Sequence, residues 1–319
     1  MKTVFQVHTR LRRFAPAALL LFLTACGGLT RCGSAEPMDE AEFDALYTDP
    51  ASVPVGARDV FHIGHSLVGR DMPAMLAQLA GTGHRYESQL GWGTPLKAHW
   101  EPDEPINGFE TENDHPRYRD AKEAVSSGDY DALVLTEMVE IRSAIQYFDS
   151  AEYLYEWAEA GWSANPDLNV YLYETWHELT DKEGWMKRLD LDLDRYWEGE
   201  ILRRALTRSD AGRPIYVIPA GQVMAKFARE VEQRGGVGPI ETHSDLFSDN
   251  IHFNDLGAYL VALTHYAVLY QKSPVGLPHA LMRADGTAAE DPGAEAAQLM
   301  QKTVWDVVTT YPKTGVPQK

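Results

Sequence analysis

The sequence predicts an α/β protein: a three-layer α/β/α sandwich around a central parallel sheet of about five strands. Three observations lead there. Short apolar runs at residues 60–63, 86–90, 132–135, 170–173 and 215–218 are spaced along the chain. Stretches of helical character lie between them. The runs are nearly continuous in apolar residues rather than alternating, as strands buried on both faces must be. Ligands in such folds sit beyond the carboxyl ends of the strands, so chemistry is sought in the loops after Ile63, Leu90, Leu135, Tyr173 and Ile218.

Taken in order, the N-terminal stretch is not part of that fold. Lys2, Arg10, Arg12 and Arg13 form a positive start with no acidic residue, and residues 15–23 follow as an apolar run too short to span a bilayer comfortably. The run ends in Leu23-Thr24-Ala25-Cys26-Gly27, which resembles a bacterial lipobox: an apolar residue, two small residues and a cysteine. The resemblance implies that residues 1–25 are a lipoprotein signal peptide. Cys26 would then be lipidated and become the new N-terminus, and the chain would be exported and membrane-anchored, facing the periplasm. A plain secretory peptide with an incidental cysteine is the other reading. Loss of residues 1–25 removes four positive charges and takes the net charge from -18 to -22.

The two cysteines are Cys26 and Cys32, both ahead of the expected domain. With Cys26 carrying lipid, neither a disulfide framework nor a cysteine-based zinc site can form. Residues 26–54 are rich in Gly, Pro, Ser and acids and read as a flexible tether with one short helix around residues 40–46. Residues 55–319 are then the folded domain. The chain as a whole, with 44% apolar and 24% charged residues, has the balance of a globular protein with a sizeable core. Its acidity argues against nucleic acid as a partner, because a phosphate backbone would be repelled.

Within the domain, the first strand leads into a helix from Asp71 to Ala80. Asp71 is placed to cap it, Pro73 suits its first turn, and Gly81 and Gly83 stop it. The second strand is the weakest. A helical stretch ending at Gly128 precedes the third strand, residues 151–162 form an aromatic-rich helix before the fourth, and residues 195–209 a helix before the fifth. Helices near residues 256–270 and 294–310 close the chain.

Two pieces of sequence carry chemistry. Gly64-His65-Ser66-Leu67 follows the first strand, and a serine on such a turn can project its hydroxyl while its own N–H points at a developing oxyanion. Asp249-Asn250-Ile251-His252-Phe253-Asn254-Asp255-Leu256-Gly257 precedes a helix read as amphipathic. There His252 can serve as general base and Asp249 can fix its tautomer. Each piece alone has a bland reading, a punctuating turn or an Asx turn.

Together they resemble the SGNH (GDSL-like) hydrolases over roughly residues 58–271. In that family a Gly-x-Ser-Leu motif follows the first strand and an Asp-x-x-His pair precedes the last core helix. The resemblance implies a serine esterase with Ser66, His252 and Asp249 as its triad, and with Ser66 and Gly93 supplying oxyanion amides. The stretch Gly91-Trp92-Gly93-Thr94-Pro95-Leu96-Lys97-Ala98-His99-Trp100 is similar to the family's second block. Acyl esters, O-acetyl among them, on extracytoplasmic carbohydrate are the implied substrates, with no cofactor.

The chain departs from the family twice. His65 stands where Asp or Asn is usual, and the third block reads Thr136-Glu137 where Gly-x-Asn-Asp is usual. Thr136 is the candidate third oxyanion donor. Glu137, whose charge would repel an oxyanion, must point elsewhere, be protonated or bind a substrate hydroxyl. Trp92, Trp100, Trp176 and His177 fall in candidate site loops, where aromatic faces suit sugar rings or acyl chains as well as a core. Trp92, Trp176 and Glu137 are the expected substrate contacts. A metal site at His62 and His65, with Asp59 and Asp71 nearby, is disfavoured because residues three apart on a strand face opposite sides. The main alternative is a catalytically weak or inactive lipoprotein that keeps the fold as a carbohydrate- or ligand-binding module.

Overall fold

The apolar runs become β1 (Asp59–His65), β2 (Arg85–Gly91), β3 (Ala132–Leu135), β4 (Asn169–Glu174) and β5 (Tyr216–Pro219). A computed structural model describes residues 36–52, 55–209 and 212–319. The expected signal peptide, Cys26 and Cys32 lie outside the described residues. The strands form one sheet in the order β2-β1-β3-β4-β5, with every neighbouring pair parallel. The expected fold class is the observed one.

Val60, Phe61 and Ile63 of β1 are completely buried, each side chain contributing roughly 1.5–3 kcal/mol. One helical layer consists of Asp71–Ala80, Ala220–Arg234, Asp255–Tyr270 and Gly293–Val308, which pack on one another. The other is built around Ser150–Ala164, against Ala121–Ser127, Leu96–Trp100 and Arg203–Leu206. π-helical turns at Leu193–Leu202 precede the last of these, where an ordinary helix was expected.

The Asp255–Tyr270 helix differs from expectation. Every residue from Leu256 to Tyr270 is buried, so it is a central helix, apolar all round, rather than an amphipathic surface one. Its outer side is covered by the Asp71–Ala80 and Gly293–Val308 helices. Asp71 does not cap its own helix. The cap position is Arg70, and Asp71 Oδ1 instead accepts the Ala284 N–H at 2.8 Å.

The stretch expected to be a tether is docked in its described part. Phe43 and Tyr47 are buried, and the Tyr47 hydroxyl donates to Ile215 O at 2.8 Å. Met38 N donates to Arg203 O at 3.1 Å and Ala51 N to Gly315 O at 2.8 Å. Residues 36–52 thus supply two aromatic side chains to the core, the reason they hold a fixed place.

The chain reverses its direction across the sheet between β1 and β3, since β2 flanks β1 on one side and β3 to β5 follow on the other. The carboxyl ends of β1 and β3 flank that switch point, where crevices open in such sheets.

Candidate active site

Ser66 sits on the turn that leaves β1 at this switch point, and the turn is braced from several sides. Gly64 must be glycine there, because a Cβ would lie 2.7 Å from the Thr136 Cβ. The Gly64 carbonyl accepts the His99 Nε2–H at 2.9 Å. His65 donates its Nε2–H to Glu137 O at 2.9 Å and accepts the Leu67 N–H on Nδ1 at 3.3 Å. Carbonyl acceptors require both rings to carry the proton on Nε2. Burial lowers both His65 and His99 to about 4, so they stay neutral. Tyr173 donates its hydroxyl to Leu67 O at 3.0 Å. His65, the first departure from the family pattern, therefore ties the nucleophile turn to the end of β3.

The second chemical piece arrives from the far end of the chain. His252 Nε2 is 2.8 Å from Ser66 Oγ, and His252 Nδ1 is 2.7 Å from Asp249 Oδ2. Asp249 Oδ1 accepts the N–H groups of His252 at 2.7 Å and Ile251 at 2.8 Å. These amides, with the imidazole, hold its carboxyl down at about 2, so it is charged although more than half exposed. Asn254 then caps the Asp255–Tyr270 helix, its Oδ1 accepting from Leu256 N at 3.0 Å and Gly257 N at 3.2 Å. Gly257 permits a close crossing, since a Cβ would lie 2.4 Å from Leu246 O. The motif's residues thus divide between chemistry and building the loop that delivers it.

The loop after β4 fastens the His252 loop in place. Trp176 Nε1 donates to Ile251 O at 2.8 Å, Leu179 N to Asn250 O at 2.8 Å and Thr180 N to Asn250 Oδ1 at 3.1 Å. Trp176 is 1% exposed, packed among Tyr173, Phe247 and Phe253, so it supports the loop and does not meet a substrate as expected. His177 is also buried, 3.1 Å from Asp192. Trp100 packs edge-on against Trp157. Sequence reasoning missed Asn250 as a functional residue, although its position inside the Asp-x-x-His spacing is a usable signal.

The loop after β2 leaves the strand paired with β1, Gly91 lying opposite His65. Gly93 is exposed at φ +54°, with open space where a Cβ would be, so its backbone is accessible to a substrate oxygen. Trp92 is 52% exposed, with its Nε1–H held by Glu112 at 2.7 Å. Thr136 does not occupy the expected donor position. It is fully buried, its N–H is used by Ile63 O at 2.9 Å, and its hydroxyl, packed against Gly64, has no partner among the described residues. Glu137 is fully buried as well and does not reach a substrate. Its Oε1 accepts from Met138 N at 2.7 Å and Leu96 N at 3.3 Å, and burial pushes its carboxyl up to about 7.

His62 and His65 face different surroundings, as expected of strand residues three apart. His62 is buried with its ring 6.0 Å from that of His265, while His65 turns to Glu137 O. An open hollow of about 940 Å³ is lined by Arg70, Glu110, Glu112, Asp114 and Arg283 among others. A second, of about 310 Å³, shares Asp71 and Arg283 with it and reaches Phe253, the neighbour of His252. A third, of about 340 Å³, lies where β1 and β2 begin, beside Asp59 and Arg85, at the end of the sheet away from Ser66.

No family model matches the chain, and no curated protein matches it either. Among solved structures, a DUF4886 family protein from Bacteroides uniformis aligns at 13% identity, over 80% of this chain and 95% of its own, with a TM-score of 0.48. A carbohydrate esterase family 3 structure from Talaromyces cellulolyticus aligns at 13% identity, over 67% of this chain and 97% of its own, with a TM-score of 0.35. A carbohydrate esterase family 2 enzyme with its carbohydrate-binding domain, from Corynascus thermopiles (Myceliophthora fergusii), aligns at 11% identity, over 53% of this chain and 58% of its own, with a TM-score of 0.30.

Proposed function

We propose that this chain is a serine esterase that cleaves acyl esters through an acyl-enzyme. One observation carries the reading: an unbroken hydrogen-bonded line from Ser66 Oγ through His252 to a charged Asp249, at 2.8 and 2.7 Å. In the reaction Ser66 Oγ attacks the ester carbonyl as its proton passes to His252 Nε2. Asp249 holds the imidazole in the tautomer that can accept it and stabilises the imidazolium. The tetrahedral oxyanion is held by the Ser66 and Gly93 amides. Its collapse breaks the C–O bond, and the leaving alcohol takes the proton from His252. Water then repeats the sequence on the acyl-enzyme, releasing the acid and restoring Ser66.

The alcohol side of the substrate is an extended, polar molecule such as a carbohydrate, and a small acyl group such as acetyl is the one removed. The open hollow beside Arg70 and the half-exposed Trp92 ring support this, since an indole face suits the apolar face of a sugar. We propose further that residues 1–25 are removed, that Cys26 is lipidated and that the protein works from a membrane facing the periplasm. The pattern at Leu23 to Gly27 supports this. A Cys26→Ser protein should then be released in soluble form, and an unmodified mature N-terminus beyond Cys26 would count against the anchor.

The direct test of the reaction is labelling with a fluorophosphonate probe, mapped by mass spectrometry. Modification of Ser66 in the wild type, absent in His252→Ala, is the expected result. An unlabelled but folded wild type would favour the second reading, a binding module. The observation behind that reading is that Thr136 and Glu137 offer no third oxyanion donor.

A further inference from the structure

Glu137 takes no part in the chemistry just proposed, yet three loops of the site meet on it. Its carboxyl accepts the Leu96 N–H, and Leu96 opens the helix that follows Gly93 by three residues. Its backbone carbonyl accepts the His65 Nε2–H at 2.9 Å, and His65 immediately precedes Ser66. Its own position is the end of β3, where the resembled family places an oxyanion donor. The same helix returns a second tie through His99, which donates to Gly64 O at 2.9 Å and faces Gln89 Nε2 through Nδ1 at 3.0 Å.

We infer that Glu137 is a positioning residue that holds the Gly93 loop in register with Ser66, bonding the Leu96 amide with its carboxyl and the His65 ring with its carbonyl. The inference rests on the esterase reading. It replaces a missing third donor by rigidity: a hole of two amides works only if the two stay at a set separation, and one residue anchors both loops.

The charge on this brace has a consequence for the reaction. Glu137 is pushed up to about 7 by burial, opposed by the Met138 N–H, Ser150 and the Leu96 N–H, and no cationic side chain among the described residues compensates it. Of the ionisable groups around it, His65 and His99 are neutral and Lys97 is bonded to Asp149 at 3.1 Å. Below neutrality the brace is uncharged. Above it, the brace carries a buried negative charge on the residue that joins the two loops proposed to supply the oxyanion amides, and that charge opposes a developing oxyanion.

The test compares wild type with Glu137→Gln and Glu137→Ala, using an acetyl aryl ester across pH and amide hydrogen exchange without substrate. Glu137→Gln keeps an acceptor oxygen, so it should hold kcat within a few-fold at pH 6 and lose the wild-type decline above neutrality. Glu137→Ala should lower kcat by roughly a hundredfold with KM little changed, since an ångström of misplacement costs about that much. Exchange at Leu96 and Met138 should quicken in Glu137→Ala and stay slow in Glu137→Gln. An alanine variant with wild-type kcat, or with unchanged exchange, overturns the inference while leaving the esterase intact. A wild type inert to fluorophosphonate overturns the esterase reading and the positioning role with it, whatever the exchange shows.

Discussion

The two sides of the candidate site are built in opposite ways. The side that carries His252 is local: Asp249, Ile251, His252, Asn254 and Gly257 lie within nine residues, and their bonds are mostly to one another. The side proposed to hold the oxyanion is assembled from the ends of β1, β2 and β3, through Ser66, Gly93 and Glu137, residues up to 71 positions apart in the chain. The difference teaches that a Ser-His-Asp line can be completed by one local motif, whereas the proposed anion hole draws on several strand ends in register. It also explains why one side keeps the pattern of the resembled family and the other departs from it. A local motif tolerates no change of spacing, while a hole built from three loops can shift its support from one loop to another.

The largest effects should come from breaking the line on the local side. Ser66→Ala and His252→Ala should each lower kcat on a short aryl ester by roughly 10⁴–10⁶, and the double variant should be scarcely worse than either. Asp249→Asn should cost about 10⁴ by favouring the wrong tautomer. Additive losses in the double variant would show that Ser66 and His252 do not act as a unit.

The support beneath that side comes next. Trp176→Phe keeps an aromatic side chain but deletes the donor to Ile251 O and part of the buried ring, and the unpartnered carbonyl alone should cost about 1–3 kcal/mol. Chemical denaturation should register that loss, and kcat should fall more than KM rises. A variant of unchanged stability and rate would mean that the Asn250 bonds suffice to hold the loop.

Stability against pH sharpens the comparison with the strand-end side. His65, His99 and His265 are lowered by burial from 6.5 to about 4, so the unfolded chain binds more protons in that window and stability rises with pH through it. Glu137 and Glu174 are raised by burial from 4.5 to about 7 and about 8. For these the folded state binds more protons, so their contribution is complete below about 4.5 and is lost as pH rises through 7 and 8. Melting temperature should therefore be highest slightly below neutrality. Glu137→Gln combined with Glu174→Gln should flatten the alkaline fall and leave the acid limb in place. An alkaline fall that survives both substitutions would place its origin elsewhere.

The smallest effect is expected at Thr136. Thr136→Val preserves shape and removes a buried hydroxyl that has no partner among the described residues, so stability should stay level or rise by about 1 kcal/mol, with kcat unchanged. A loss of 10²–10³ in kcat, the usual size for a missing oxyanion donor, would mean that Thr136 turns into the site during the reaction (roughly that range being expected for one donor).

Short-range features were legible in the sequence because their physics is short-range. The strands were legible as apolar runs, since a strand covered on both faces has no polar side to show. The Ser66 turn and the Asp249–His252 spacing were legible because a tight turn and an Asx-type loop depend on neighbours a few residues away. The helix Ala220–Arg234 is legible in the same way: Val223, Met224, Phe227, Ala228 and Val231 repeat at helical spacing and are all buried. What tertiary structure alone decided is where each polar side chain points once the layers close. Trp176 and Glu137 look like cleft residues from their loops, and both are turned inward, one to hold Ile251 and the other to hold Leu96. Residues 36–52 look like tether by composition, and Phe43 and Tyr47 find a pocket that exists only after β5 and the chain's C-terminal segment have come together. Composition and spacing report what a segment can do locally. Burial is a property of the surfaces that meet it, and those are supplied by parts of the chain up to about 270 positions away, as in the bond of Lys313 to Asp44.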